Sequence, residues 1–438
     1  MTVSIALFTQ DLRLHDNPVL HAARTADTTV PLFVLDPAVD KAGFAAPNRM
    51  AFLADCLADL DRELRRRGSR LILRHGDPAE QAARLAAETG AAEVHVAAGV
   101  SAFAHRREAR LRELLGDRLR VHDASLTVVP AGAVTPAGKD HYAVFTPYHR
   151  AWQQAPRRAV LGAPRVLRLP DDVTSEPLPT ADGTSPGLAA GGESAAREHW
   201  KRWDPDAYAE LHDALAADGT SRLSPYLHFG CLSANELADR ATAHGGAGAE
   251  AFVRQLAWRD FHHQVLAARP EAAHRDYRSR EDRWHQDEAE AEAWRQGRTG
   301  YPIVDAGMRQ LRHEGWMHNR ARLLTASFLV KSLYLDWRIG ARHFLSLLVD
   351  GDVANNQLNW QWTAGTGTDT RPNRVLNPLR QADRYDPDGA YVRRWVPELA
   401  HLPGAAIHRP WGHAPDYPDP IVAPESLGAR LRHARALD

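Results

Sequence analysis

Between residues 350 and 362 the chain reads DGDVANNQLNWQW, placing Asp350, Asp352, Asn355, Asn356, Gln357, Asn359, Trp360 and Trp362 within one short stretch. Polar groups this dense beside an apolar helix cost several kcal/mol if buried without partners. They point to a polar ligand with many hydrogen-bonding edges, and an isoalloxazine ring or a nucleotide would fit. Upstream, GWMHNRARLLTASFLVKSLYL is apolar nearly all round from Leu323 to Leu335, which predicts a buried central helix. Asn319, Arg320 and Arg322 stand at its entrance. An arginine entering a buried helix needs a carboxylate or phosphate partner. An ion pair from Arg322 to Asp350 or Asp352 satisfies that need without any ligand.

The stretch FVRQLAWRDFHHQVL carries an apolar stripe of Val253, Leu256, Ala257, Phe261 and Val265. Beside it runs a second stripe of Gln255, Trp258, Arg259 and His262 at helical spacing. An indole flanked by an amide and a guanidinium suits the wall of a pocket for a flat ligand. A second packing face explains it equally well. The run Thr220–Ser224, TSRLS, precedes a helical pattern, where hydroxyls and free N–H groups suit a phosphate or serve as simple caps.

The elements that must hold these residues fall into three parts. Over residues 1–130, short apolar runs at 3–8, 30–35, 70–73, 93–96 and 118–121 alternate with helical stretches at 49–67, 78–88 and 101–115. This βαβα order predicts an α/β domain with a doubly wound parallel sheet. The first strand runs into TQDLRLHDN rather than GxGxxG, so the dinucleotide fingerprint is absent. Residues 131–199 lose periodicity, and 178–193 are rich in Pro, Gly, Ser and Thr, which reads as an interdomain linker. Residues 200–438 read as an all-α domain, and most of the twelve tryptophans lie between Trp200 and Trp395.

Bulk properties bound the function. The 438 residues carry a net charge of −1, so nucleic-acid binding would need a local basic patch on a neutral body. Lysine is confined to Lys41, Lys139, Lys201 and Lys331, and arginine supplies the other basic groups. Two cysteines, Cys56 and Cys231, lie far apart in sequence, and the 23 histidines show no metal-ligand spacing, so neither a disulfide framework nor a metal site is expected. No signal sequence or apolar span is visible, which predicts a cytoplasmic protein that does not enter membranes. No P-loop or GxSxG motif appears, so the chemistry is expected to belong to a cofactor.

Taken together, TSRLSPYLHFG, LAWRDFHHQVL, TGYPIVDAGMRQLRHEGWMHNRARLLTASFLVK and DGDVANNQLNWQW resemble the photolyase/cryptochrome family. TQDLRLHDN near the start and YVRRWVPEL near the end extend the resemblance over nearly the whole chain. It is most like microbial class I photolyases that repair cyclobutane pyrimidine dimers, of the deazaflavin-antenna type.

The resemblance implies that the helical domain binds FAD, active in its reduced form. Tyr208, Thr220, Ser221, Leu223 and Ser224 match positions holding its phosphates and ribitol, while Arg259, Asn319, Arg322, Asp350 and Asp352 match further flavin contacts. Asn356 matches the residue facing flavin N5, where a neutral amide favours repair over signalling. Trp360, Trp337 and Trp284 match a chain carrying electrons from the surface to oxidised flavin. Trp258 and Trp362 match aromatic walls for the lesion, and Arg320 and Arg374 match phosphate-gripping positions. The partner implied is UV-damaged DNA, bound by a monomer without an obligate protein partner.

Two departures bear on the substrate. Gln255 stands where dimer photolyases usually carry a glutamate, and Leu323 where a methionine commonly touches the lesion. A six-four photoproduct enzyme and a cryptochrome-like blue-light receptor are therefore the alternatives. The pocket text NRARLLTAS lacks the histidine on which six-four enzymes rely, and no long tail follows the helical domain. In the first domain VSAFAHRREAR lacks the Asn-Glu pair of folate-antenna enzymes. The stretch LDPAVDKAGFAAPNRMAFLADCL is closer to deazaflavin-antenna enzymes, which implies an 8-hydroxy-5-deazaflavin antenna near Arg49 and Phe52.

Overall fold

The computed structural model describes residues 2–217 and 219–436. By packing, the chain forms two units, one of residues 1–183, 189–209 and 221–270, the other of 184–188, 210–220 and 271–438.

The first unit is built on five parallel strands, β1 (Val3–Phe8), β2 (Thr28–Leu35), β3 (Ile72–His75), β4 (Glu93–Ala97) and β5 (Leu119–His122), in the order β3-β2-β1-β4-β5. The doubly wound sheet expected from the sequence is present, with β1 fixed by the same apolar run that announced it. β3 lies two residues later than 70–73 because Leu32 of β2 pairs with Ile72. Local chemistry sets the helix ends. Asp77 accepts hydrogen bonds from the backbone N–H groups of Ala79 and Glu80, Pro78 opens the helix Pro78–Thr89, and Gly90 closes it in the left-handed region.

The TQDLRLHDN segment is a buried strut. Arg13 is 1% exposed, and its guanidinium donates to the carbonyls of Asp16, Ser125 and Gly230. Asn17 caps the helix Pro18–Ala23 and also donates to the carbonyls of Asp11 and Arg13. Gly230 is required here, since its φ is +67° and a Cβ would lie 1.8 Å from the Gln10 carbonyl oxygen. The two cysteines, remote in sequence, are both buried, with Sγ atoms 3.4 Å apart.

Residues 131–199 are more than a tether. They include the helix Phe145–Gln154 and the start of the helix Glu193–Arg202. Trp152 is fully buried and donates its indole N–H to Asp260. Packing also draws residues 200–209 and 221–270, expected in the C-terminal domain, into the first unit.

The second unit is helical, with one isolated bridge between His285 and Leu335 among its described residues. Its core gathers Trp294, Trp337 and Trp360 with Leu324, Phe328, Leu333 and Phe344. The expected central helix over 323–335 is shorter than the apolar run. The helix Asn319–Ser327 passes into a π-helical turn, Phe328–Ser332, in which the Leu333 N–H bonds the Phe328 carbonyl. The chain then turns at Tyr334, whose φ is +58°. Apolar periodicity reports burial but not this change of winding. No described helix is long and apolar enough to cross a membrane.

Lys331 lies in the π-turn with no exposed surface, and its Nζ donates to the carbonyls of Ala364 (2.8 Å) and Pro372 (2.5 Å). Burial, reinforced by the nearby charge of Arg435, lowers its pKa from 10.5 to about 7. Between those values the unfolded chain binds a proton that the folded chain does not, so this lysine makes stability fall as pH drops from about 10 to about 7. Melting temperatures of the wild type and Lys331→Met across that range should converge toward low pH and separate in favour of the wild type toward high pH. A constant difference would show that Lys331 stays charged.

Candidate functional site

In the first unit the helix Gly246–Ala268 carries Gln255, Trp258 and Arg259. Its apolar stripe is buried at Leu256, Ala257, Phe261 and Val265. Val253 is only half-buried, but Phe252 and all of residues 260–266 are buried, so the covered surface is wider than the apolar stripe implied. The second stripe divides: Gln255 is exposed, Trp258 and Arg259 are half-buried, and His262 is buried. The Trp258 indole stacks face to face on Phe145, with ring centres 3.6 Å apart and planes within 4°. Arg259 donates to the carbonyls of Leu126 (2.7 Å) and Leu227 (3.4 Å).

Sequence reading missed Asp260. It is fully buried, and its Oδ2 accepts the backbone N–H groups of Val128 and Val129 and the Trp152 indole N–H. Burial raises its pKa, opposed by Arg259 and these donors. An acid beside the apolar stripe of a long helix was the available signal. Asp260 clamps the helix, and with it the outlook of Trp258.

The TSRLS run divides between the units. Ser221 is half-buried, Leu223 is buried, and the exposed Ser224 opens the short helix Ser224–His228 without a side-chain cap. Tyr208 is buried against Trp203 and Phe252. Phe52 is fully enclosed by Tyr226 and Phe229, and Arg49 donates to the Phe44 carbonyl. Phe52 therefore has no open face for the antenna expected beside it.

In the second unit Arg322 donates to the Met317 carbonyl and, at 2.8 Å, to Oδ2 of Asp350. The pair is largely shielded, with side-chain exposures of 24% and 3%. Asp350 Oδ1 is buried and has no hydrogen-bond partner, as is Thr220 Oγ1. An unpaired carboxylate oxygen in such a place costs roughly 1–3 kcal/mol or more, which a ligand donor would offset. Asp352 takes the other role, capping the helix Val353–Ala364 through the N–H of Asn355.

The dense polar run resolves into separate duties. Gln357 donates to the Ala273 carbonyl, and Gln361 to those of Ala272 and Arg275 while accepting from the Tyr277 N–H. Asn359 donates to the Asn355 carbonyl. These amides hold a neighbouring loop, so the expectation that the whole run faces a ligand was too broad. Asn356 spends its NH2 group on Ala341 and Gln357, leaving its oxygen as an acceptor.

Asn319 is exposed at the helix start, Leu323 and Trp362 are half-buried, and Arg374 is exposed. Arg320 binds both oxygens of Asp213, at 3.2 and 2.6 Å, with its guanidinium 4.4 Å from the Tyr385 ring centre. A phosphate at Arg320 would have to compete with Asp213. Trp360 and Trp337 are buried, and Trp284 packs partly buried against the same apolar cluster. Trp337 donates to Asp276, while Trp360 sits edge-on to Phe344 and Trp294. His285, Asp287 and Glu290 bring three ligand-type atoms within 4.8 Å of one another, but Glu290 is already bound by Arg430.

The donor set suits a flavin: a shielded arginine–aspartate pair with one unspent carboxylate oxygen, an amide oxygen on Asn356, and indoles in an adjoining core. Comparison with known proteins agrees. A family model described as DNA photolyase matches residues 4–166, and one described as the FAD binding domain of DNA photolyase matches 252–435. A deoxyribodipyrimidine photo-lyase of Streptomyces griseus is 62% identical, with 100% of both chains covered. A bacterial class III photolyase from Agrobacterium tumefaciens superposes with a TM-score of 0.93 at 32% identity, covering 99% of this chain and 97% of that one. An archaeal photolyase from Sulfolobus tokodaii, solved with two FAD molecules, gives 0.87 at 31% identity and covers 99% and 100%.

In the tryptophan core Gly340 lies directly against Trp360, and a Cβ there would fall 2.1 Å from the Trp360 ring. Gly340→Ala should destabilise the protein by roughly 1–3 kcal/mol through overpacking, read from urea unfolding. Unchanged stability would mean that Trp360 is free to move away.

Proposed function

This chain belongs to the DNA photolyase family, and on that premise we propose that it splits cyclobutane pyrimidine dimers in DNA by light-driven electron transfer. The observation that carries the reading is the full-length match at 62% identity to a deoxyribodipyrimidine photo-lyase, joined to an FAD-binding domain model over 252–435. Bound FAD, in its reduced form, supplies a single electron to the lesion on absorbing light.

The protein's own residues position and insulate. Arg322 and Asp350 would hold the isoalloxazine, the unspent Asp350 Oδ1 offering it an acceptor. The Asn356 oxygen would offer the reduced ring an acceptor without adding a negative charge. Thr220 contributes its unspent hydroxyl, and Tyr208, Ser221, Leu223, Ser224, Arg259, Asn319 and Asp352 line the rest of the cofactor. Trp360, Trp337 and Trp284 return electrons to flavin that has become oxidised. Splitting the lesion needs no acid or nucleophile from the chain.

Photolyases act on a base taken out of the stack, and a damaged pair is cheaper to extrude than an intact one. Trp258 and Trp362 each offer a half-buried indole for an extruded base. Gln255 and Leu323 touch it, and Arg320 and Arg374 bind the flanking phosphates. With the chain at −1 overall, the exposed Arg374 supplies local positive charge, and Arg320 adds to it when a phosphate displaces Asp213. The antenna is an 8-hydroxy-5-deazaflavin held within residues 1–130, and the protein works as a cytoplasmic monomer.

The purified, reduced protein under blue or near-ultraviolet light should restore a thymine-dimer oligonucleotide to intact thymines. Repair confined to the six-four photoproduct, or repair of neither lesion, would contradict the assignment.

A further inference from the structure

We propose that Tyr334 extends the tryptophan chain, serving as the terminal electron donor to oxidised Trp284 with Asp282 as its proton acceptor. This rests on reading Trp284, Trp337 and Trp360 as electron carriers. The observations lie within the second unit. The Tyr334 ring centre is 4.9 Å from that of Trp284, so the two π systems touch. The Tyr334 hydroxyl donates to Asp282 Oδ1 at 2.7 Å. Asp282 is itself buried, with a side-chain exposure of 1%, and Arg435 binds both of its oxygens at 2.8 and 2.6 Å.

The backbone supports a dedicated role. Tyr334 adopts a φ of +58°, a region that bulky residues rarely occupy. Its carbonyl is fixed by the His285 N–H at 2.9 Å, on the residue after Trp284. Outliers of this kind persist where the surrounding structure over-determines them. The result is a phenol locked against an indole and aimed at a carboxylate.

The electron balance is simple. Trp284, oxidised by one electron to its radical cation, takes an electron from Tyr334 and becomes neutral. The phenol loses its O–H proton to Asp282 as the electron leaves, giving a neutral phenoxyl radical and a protonated carboxyl beside Arg435. Total charge is conserved, and the oxidant is Trp284 itself. Because the electron cannot return unless the proton does, the step would slow recombination. Burial, together with the bond to Asp282, raises the Tyr334 pKa, so the phenol keeps its proton until it is oxidised.

Flash photolysis of the oxidised, FAD-loaded protein, read by transient absorption and electron paramagnetic resonance, tests the idea. The wild type should show an indole radical followed by a phenoxyl radical. In Tyr334→Phe, which keeps the ring, the indole radical should form as before and outlive its wild-type counterpart, and the phenoxyl signal should be lost. Asp282→Asn should slow the rise of the phenoxyl signal. A second arm uses flavin-free protein, with indoles oxidised by azide radicals from pulse radiolysis, and the Tyr334-dependent phenoxyl signal should appear there too. Indole radicals that never pass to a phenol, or a phenoxyl signal that survives in Tyr334→Phe, would overturn the proposal. A flash that generates no indole radical at all would bring down the tryptophan chain first, and the tyrosine with it.

Discussion

Arg322 and Asp350 form an ion pair largely shielded from water, and the flavin site proposed for this chain is built around it. A buried charge is tolerated when paired, and a pair is best tolerated when every remaining donor and acceptor is used. Here the arginine is also anchored to the Met317 carbonyl, whereas Asp350 keeps one oxygen unspent. An oxygen left so is open to a ligand's donor, although Asp260, which clamps a helix in the first unit, also keeps its Oδ1 without a hydrogen bond. Asp305, also buried in the second unit, shows the contrast: its carboxylate is filled by Thr299, Gly300 and Tyr417.

Around this pair the second unit is an aromatic core rather than a polar catalytic cleft. Trp337 and Trp360 sit among leucines and phenylalanines, and Gly340 lets a helix backbone lie against the Trp360 ring. Electron transfer asks for that kind of medium: rigid, dry and continuous in π systems. Acid–base catalysis would instead call for titratable groups converging on a cleft. The near-neutral net charge fits as well, because one extruded lesion needs phosphate contacts at a few arginines and not a basic face over the whole molecule.

Much of this was legible in the sequence because periodicity and capping chemistry act locally. The strands at Val3–Phe8 and Glu93–Ala97 and the helix Pro78–Thr89 follow from their own residues. That Arg322 needs an acidic partner followed from charge beside a buried helix, which left Asp350 and Asp352 both open; the structure pairs it with Asp350 and gives Asp352 to a helix cap. Long-range partners were not legible. Nothing near Gln357 or Gln361 in the chain announces that they brace the loop around Ala272 and Tyr277. Arg320 suggested a free phosphate grip, but Asp213, more than a hundred residues earlier, holds it. The π-turn at Phe328–Ser332 and the left-handed Tyr334 were hidden because an apolar run looks the same however its backbone winds.

The most direct test is the affinity of the flavin-free protein for FAD, compared between the wild type and Asp350→Asn by titration, with circular dichroism confirming that both are folded. The unspent oxygen predicts weaker binding by roughly 1–3 kcal/mol, the scale of a lost charge-assisted hydrogen bond. An equal dissociation constant in a folded variant would mean that the Arg322–Asp350 pair serves the fold alone.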